Sequence, residues 1–308
     1  MAPAPAELVG PDAERGALRG ELCDGRRRRV ALRRRPSPRP SRRSGAELSH
    51  VALCTDSSSL VSPAAAAELG VELVAVPVVL DGEPFEGTTD VFYARMRQGA
   101  VAATSQPSPS AFAEAYERSE SQGAASVLSL HLDRRISGVS ESAALAARDT
   151  TISVRVVSLP TVSYGVGLCV RAASAALLGG ASVNEAAAEA EKVAVALDNV
   201  FVARSAPGGR VSASDEWTIL RFASGEAHAL SAHSSFDDAA TVMGRRVLRG
   251  RPGLVAVGHA GAEVEAAADR LAYELVDASV AAVERYRVTP SVGAHTGPDS
   301  FGAFWWPA

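Results

Sequence analysis

The sequence predicts an α/β protein, and three features carry that prediction. Aliphatic, β-branched runs at 51–54, 126–130 and 153–157 are each followed by a stretch of helical length and periodicity. The first two runs end in small polar turns, Thr55, Asp56 and Ser57 after one, Ser137 and Gly138 after the other. Ser182 and Glu185 stand at capping-box spacing ahead of an alanine-rich helix. Such alternation specifies a mainly parallel sheet with helices on both faces, and in such sheets ligands bind beyond the carboxyl ends of the strands.

Taken in order, residues 1–48 stand apart. They hold 12 Arg against 6 Asp plus Glu and a proline-rich run at 36–40. This composition cannot bury a core and predicts a disordered tail. Its charge of +6 leaves the rest of a −4 chain near −10, which excludes a nucleic-acid-binding protein as the overall reading. The folded part begins near His50 with the strand at 51–54, and Ser62 caps a helix running to Leu69. Residues 71–80 form a long strand-like run broken at Pro77, and Asp81 with Gly82 makes a hairpin turn. Residues 90–97 and 110–116 read as helices. Between them Ala103, Thr104, Ser105, Gln106, Pro107 and Ser108 read as a short polar loop, with Ser108 or Ser110 capping the second helix. Further helices are predicted over 139–148 and 163–178, the latter stopped by Gly179 and Gly180.

From about residue 200 the pattern changes. Residues 217–222 and 227–230 read as a hairpin around Ser224 and Gly225, followed by a helix at 236–248, a strand at 253–257, a helix at 263–275, a strand at 280–286 and an aromatic end at 301–306. The division expected is an N-terminal α/β lobe over 49–199 and a C-terminal α/β lobe over 200–308.

Several classes are disfavoured, though not all are closed, by what the residues lack. Cys23, Cys54 and Cys169 make neither a CxxC pair nor a zinc spacing, and an odd count with no hydrophobic leader points to reduced thiols in the cytoplasm. No apolar run reaches 18 residues, so no transmembrane helix is expected. A serine hydrolase is the first alternative, but G-x-S-x-G is absent. A nucleotide binder is the second, but neither G-x-x-x-x-G-K-[ST] nor G-x-G-x-x-G occurs. No catalytic residue, metal site or cofactor is assigned.

The polar turns, in their order, are similar to those of the DegV family of bacterial fatty-acid-binding proteins. The resemblance rests on Thr55-Asp56-Ser57, Thr104-Ser105-Gln106-Pro107-Ser108, Ser137-Gly138, Ser163-Tyr164-Gly165-Val166-Gly167, Gly208-Gly209-Arg210-Val211 and His295-Thr296-Gly297-Pro298, and spans residues 50–304. It implies two α/β lobes with a long-chain fatty acid between them. The carboxylate would be held by Thr104 and Ser137, with His295 and Ser57 near the headgroup. It implies a carrier that does no chemistry itself and presents its lipid to a separate fatty acid kinase. Where the family usually has Thr after the Ser-Gly turn, this chain has Val139; where glycine is commoner after the last motif it has Asp299. A family arginine is missing near 232–235, where His233 stands closest. These departures leave open a divergent member that has lost its lipid.

Overall fold

The computed structural model describes residues 50–203, 216–276, 280 and 282–307. The tail and the Gly208–Val211 motif lie outside the described residues. The N-terminal lobe is built on four parallel strands in the order β2-β1-β6-β7: β1 (Val51–Asp56), β2 (Val71–Val74), β6 (Ser126–His131) and β7 (Ser153–Ser158). Strand β1 shows why the sheet needs cover on both sides. Successive side chains point to opposite faces. Leu53 enters a core with Val166, Cys169, Val170 and Ala173 of α5 (Tyr164–Leu178) and Ala186, Ala187 and Ala190 of α6 (Val183–Ala196). Ala52 and Cys54 enter the opposite core, with Phe112, Ala115 and Tyr116 of α3 (Pro109–Ser121) and Ala143 and Ala146 of α4 (Val139–Asp149). Burial pushes the Cys54 and Cys169 thiols up to about 12, so both are core residues and neither is poised as a nucleophile.

The caps follow their chemistry. Ser62 accepts from the Ala65 N–H at the start of α1 (Pro63–Leu69), and Ser108 from the Ala111 N–H at the start of α3. Ser182 and Glu185 form both halves of the capping box. Asp81 and Gly82 take positive φ of 56° and 87°, as a tight hairpin turn requires.

The C-terminal lobe carries a six-stranded sheet in the order β10-β9-β8-β13-β11-β12. Its strands are β8 (Asp198–Ala203), β9 (Trp217–Ala223), β10 (Glu226–His233), β11 (Pro252–His259), β12 (Ala282–Arg287) and β13 (Phe301–Pro307). All pairs are antiparallel except β11 with β12. Helices α7 (Phe236–Arg249) and α8 (Glu265–Val276) cover one face through Met243, Val247, Leu271 and Leu275. The other face meets the N-terminal lobe, where a Cβ on Gly165 would stand 3.0 Å from Phe304.

Two readings are refined and two are corrected. The aromatic end is a strand in the middle of the second sheet, with Phe301, Ala303 and Trp305 facing the α7–α8 core. The run at 71–80 is two strands, because Pro77 interrupts it: β2 joins the parallel sheet and β3 (Val78–Leu80) leaves it. The stretch before Ser105 is not a loop between helices. It is a strand, β5 (Ala102–Thr104), paired antiparallel to β3 beside the two-residue β4 (Glu83–Pro84), after α2 (Thr89–Arg97). And His295 lies not in a loop but in the last turn of α9 (Pro290–Thr296).

The first turns of helix α5, residues 165–170, are buried on all sides. A Cβ on Gly167 would meet the Ser59 carbonyl oxygen at 2.6 Å, a backbone atom that cannot rotate away. Gly167→Ala is therefore expected to cost about 1–3 kcal/mol through overpacking. The measurement is the urea midpoint of the full chain; an unchanged midpoint would show that α5 is free to shift.

Candidate functional site

A cavity of about 740 Å³ lies between the lobes. The first lobe supplies Leu60, Val61, Leu69, Leu73, Val76 and Val78, the small sheet region Phe85, and the second lobe Tyr286, Thr289 and Ser291. Ordinary ligand pockets span about 300–1,000 Å³ and are mostly apolar with a few polar groups, as this one is. Tyr164 and Tyr286, one from each lobe, stack with ring centroids 4.2 Å apart at its wall. Beside them Arg171 is paired with Glu284, and at the rim Arg287 is paired with Asp90 at 2.7 Å.

Helix α9 ties this cavity to the polar turns. Ser291 and His295 are four residues apart, so they share one face of the helix. Ser291 Oγ donates to the Ser57 carbonyl at 3.1 Å, and His295 Nε2 is 2.8 Å from Thr104 Oγ1. Gly293 lies between them, where a Cβ would come within 2.2 Å of the Tyr93 hydroxyl; only glycine lets α9 settle on that ring.

The four residues singled out in the sequence are thus placed as follows. Thr104 ends β5 and pairs with His295. Ser57 lines the cavity; its hydroxyl accepts from the Val76 N–H at 3.0 Å and its carbonyl from Ser291. Ser137 precedes α4, whose N-cap is Gly138 with no side-chain cap, and its hydroxyl accepts from the Val139 N–H at 3.4 Å. The turn bearing Ser137 is covered by the turn bearing Thr104, since a Cβ on Gly138 would stand 1.5 Å from Gln106 Nε2. Thr104, Ser137 and His295 are not among the residues that line the cavity; Ser57 and Ser291 are its polar neighbours on that side.

The sequence reading missed two parts of this region. A buried chain runs from Asp56 Oδ2 to His131 Nδ1 at 2.7 Å, and from His131 Nε2 to Ser129 Oγ at 2.8 Å. All three side chains are inaccessible, and the Tyr116 hydroxyl donates to Ser129 at 3.0 Å. The chain fixes the ends of β1 and β6 against each other and so positions the Ser57 and Ser137 turns. The alternation of Ser129 and His131 on one strand was its only visible signal. The second is the tip of the β9–β10 hairpin. Gly225, at φ +84°, approaches the Arg135 side chain within 3 Å of where a Cβ would be, and Arg135 pairs with Asp133 in the turn leading to Ser137. That Arg135 hydrogen bond holds the Asp133 carboxyl below the usual carboxylate range.

The departures also find their places. Val139 is a core side chain among Phe112 and Ala143. Asp299 accepts from Arg97 at 2.6 Å, joining α2 to the end of the chain. His233 has both ring nitrogens engaged by Ser231 and Asp238. Among the described residues no group of three or more His, Cys, Asp or Glu could hold a metal ion, and no helix is long and apolar enough to cross a membrane.

Comparison with known proteins bears on this geometry. Residues 50–308 match the family described as "Uncharacterised protein, DegV family". A DegV domain-containing protein of Streptomyces coelicolor is 30% identical over 275 residues, covering 82% of this chain and 97% of that one. A solved structure of a fatty-acid-binding DegV family protein from Thermus thermophilus superposes with a TM-score of 0.74 at 26% identity, covering 84% of this chain and 100% of that one. A Thermotoga maritima structure of the same fold gives 0.74 at 23%, over 84% and 99%.

The environment of His295 predicts its titration. Burial lowers its pKa below the ordinary value of 6.5, so the ring is neutral at pH 7. Its folded pKa is lower than its unfolded one, so the unfolded state takes up a proton first as pH falls. The stability present above about pH 6.5 is then lost progressively at lower pH. His295→Gln is expected to flatten this part of the pH–stability profile, read from urea midpoints between pH 7.5 and 5; an unaltered slope would contradict the burial of the ring.

Proposed function

The chain belongs to the DegV family, and from that premise we propose that it binds a long-chain fatty acid between its lobes and acts as a carrier. The observation that supports this most is the interlobe cavity, apolar on its N-terminal side and bordered by the hydroxyls of Ser57, Thr289 and Ser291. About 15 buried methylenes at roughly 0.8 kcal/mol each supply ample driving force. The acidic end needs donors, because a buried unpaired charge is very costly. Hydroxyls and a neutral imidazole provide them without introducing a second charge.

In this reading the acyl chain occupies the cavity. Its carboxylate lies along the Ser291–His295 face of α9 and exchanges the Thr104–His295 hydrogen bond for contacts to itself. The free N–H groups at the start of α4, beside Ser137, offer further donors and the positive end of a helix dipole. Ser57 contributes through the turn it shares with Asp56. Transfer of the bound lipid to a kinase is the carrier role we propose; the site itself performs no reaction, needs no cofactor, and works in the cytoplasm.

Native mass spectrometry of freshly purified protein is expected to show one co-purified fatty acid per chain; protein that is empty and takes up none when offered oleate would overturn the carrier reading. Hydrogen bonds to a charged group are worth about 1.5–3 kcal/mol. Thr104→Ala with Ser137→Ala is therefore expected to weaken binding by at least about 10-fold while the circular dichroism spectrum stays unchanged. Equal affinity in the double variant would remove these residues from the headgroup site.

Binding should also depend on pH. A bound carboxylate favours the imidazolium form, so the His295 pKa is higher in the complex than in the free protein. Affinity is then expected to rise as pH falls from 8 to 6, and His295→Gln to abolish the trend in titrations at fixed ionic strength.

A further inference from the structure

A second cavity, of about 440 Å³, lies in the C-terminal lobe beside α7. Ile219, Val242, Met243 and Trp305 make it apolar, and Arg245, Arg246 and Arg249 stand around it. Leu230 and Ser231 of β10 complete the wall. Adjacent residues on a regular strand point to opposite faces. Here both line one cavity because β10 carries a bulge: Ala229 pairs with Leu220 and Ser231 with Ile219, leaving Leu230 no partner residue. Bulges re-aim side chains in this way and occur often beside active sites. Among the described residues strand β10 is also the edge of its sheet, and no further strand there closes the approach.

Ser231 is held in a relay. Its Oγ is 2.7 Å from His233 Nε2, and His233 Nδ1 is 2.7 Å from Asp238 Oδ2. Ser231 and His233 are two apart on an extended strand and share a face; Asp238 comes from the first turn of α7, fixed by its N–H donating to the N-cap Ser235 at 3.1 Å. A carboxylate only accepts, so Nδ1 donates to it. In the neutral ring Nε2 is then the acceptor, and the Ser231 hydroxyl donates to Nε2. The oxygen is left with its lone pairs free, which is the arrangement of an activated nucleophile. The core chain Ser129–His131–Asp56 has the same connectivity, but there Tyr116 donates to the serine and all three members are sealed from solvent. Only the Ser231 relay borders a cavity.

The charges select the substrate. Arg245 and Arg249 have no ion-pair partner among the described residues. Arg246 is 3.9 Å from Asp198, which Arg221 already holds at 2.5 Å. The cavity is therefore apolar inside with a surplus of guanidinium groups at its rim.

We propose that Ser231 is the nucleophile of a second, hydrolytic site that takes small carboxylic esters bearing an anionic group. Ser231 Oγ forms a bond to the ester carbonyl carbon while its proton passes to His233 Nε2. The carbon–oxygen bond to the alcohol then breaks, and the alcohol leaves with that proton. Water next attacks the acyl-serine, giving a proton to Nε2 and its hydroxyl to the acyl carbon; the bond from that carbon to Oγ breaks, the carboxylic acid leaves, and Oγ takes the proton back from Nε2. The arginines hold the anionic group and stabilise the oxyanion. This site is separate from the fatty-acid cavity and does not rest on that reading.

The test is a fluorophosphonate probe on the full chain, with peptide mass mapping. The expected result is one label, on Ser231, absent in Ser231→Ala and slowed about 100-fold in His233→Gln, as loss of a general base predicts. No label, a label on another serine, or an undiminished rate in His233→Gln would overturn the proposal. Hydrolysis of the hemisuccinate of p-nitrophenol is expected to exceed that of p-nitrophenyl acetate by at least about 10-fold, and the preference to vanish in Arg245→Gln with Arg249→Gln. Equal rates for the two esters in the unaltered chain would overturn the anionic substrate class.

Discussion

The docking of α9 between the lobes is the constraint on which the rest of the architecture depends. This seven-residue helix touches the β1 turn through Ser291 and the end of β5 through His295. Just before it, the Val288 carbonyl accepts from the Tyr93 hydroxyl at 2.9 Å, and Tyr93 is buried. Exposed ion pairs such as Arg287 with Asp90 add little individually. The buried tyrosine and the bare backbone at Gly293 decide the seat. Once α9 is seated, Tyr286 reaches Tyr164 and the cavity has walls from both lobes.

The same three residue types serve two ends in this protein, and burial separates them. Asp56, His131 and Ser129 lie inside the first lobe, with Phe112 edge-on to the imidazole at 5.1 Å and Tyr116 on the serine. Every polar atom there is needed to satisfy another, since unpaired polar groups in a dry core are costly. The result is a rigid strut under the Ser57 and Ser137 turns. Asp238, His233 and Ser231 sit at a sheet edge, where Ser231 borders a cavity ringed by arginines. Connectivity alone does not make a site; access does.

Departures from the family pattern are absorbed locally. Val139 fills the α3–α4 core, and Asp299 gains Arg97. Neither disturbs the Thr104–His295 pair. The position nearest the missing arginine is committed elsewhere, because His233 is bonded on both sides.

Local signals in the sequence were enough for the parallel sheet, its covering helices, the caps at Ser62, Ser108 and Ser182, and the hairpin turns at Asp81–Gly82 and Ser224–Gly225. Each depends on residues a few positions apart, through periodicity or a side chain bonding the nearby backbone. The polar turns could be picked out for the same reason, by residue type and by likeness to a family. Tertiary structure decided the rest. Strand β5 exists only because β3 lies beside it, and β13 is central only because β8 and β11 flank it; neither pairing is written in neighbouring residues. The meeting of Thr104 with His295 spans 191 positions, and the bulge that turns Ser231 into its cavity depends on a partner strand. Contacts of that range are selected by the packing of whole layers, which no local stretch of chain encodes.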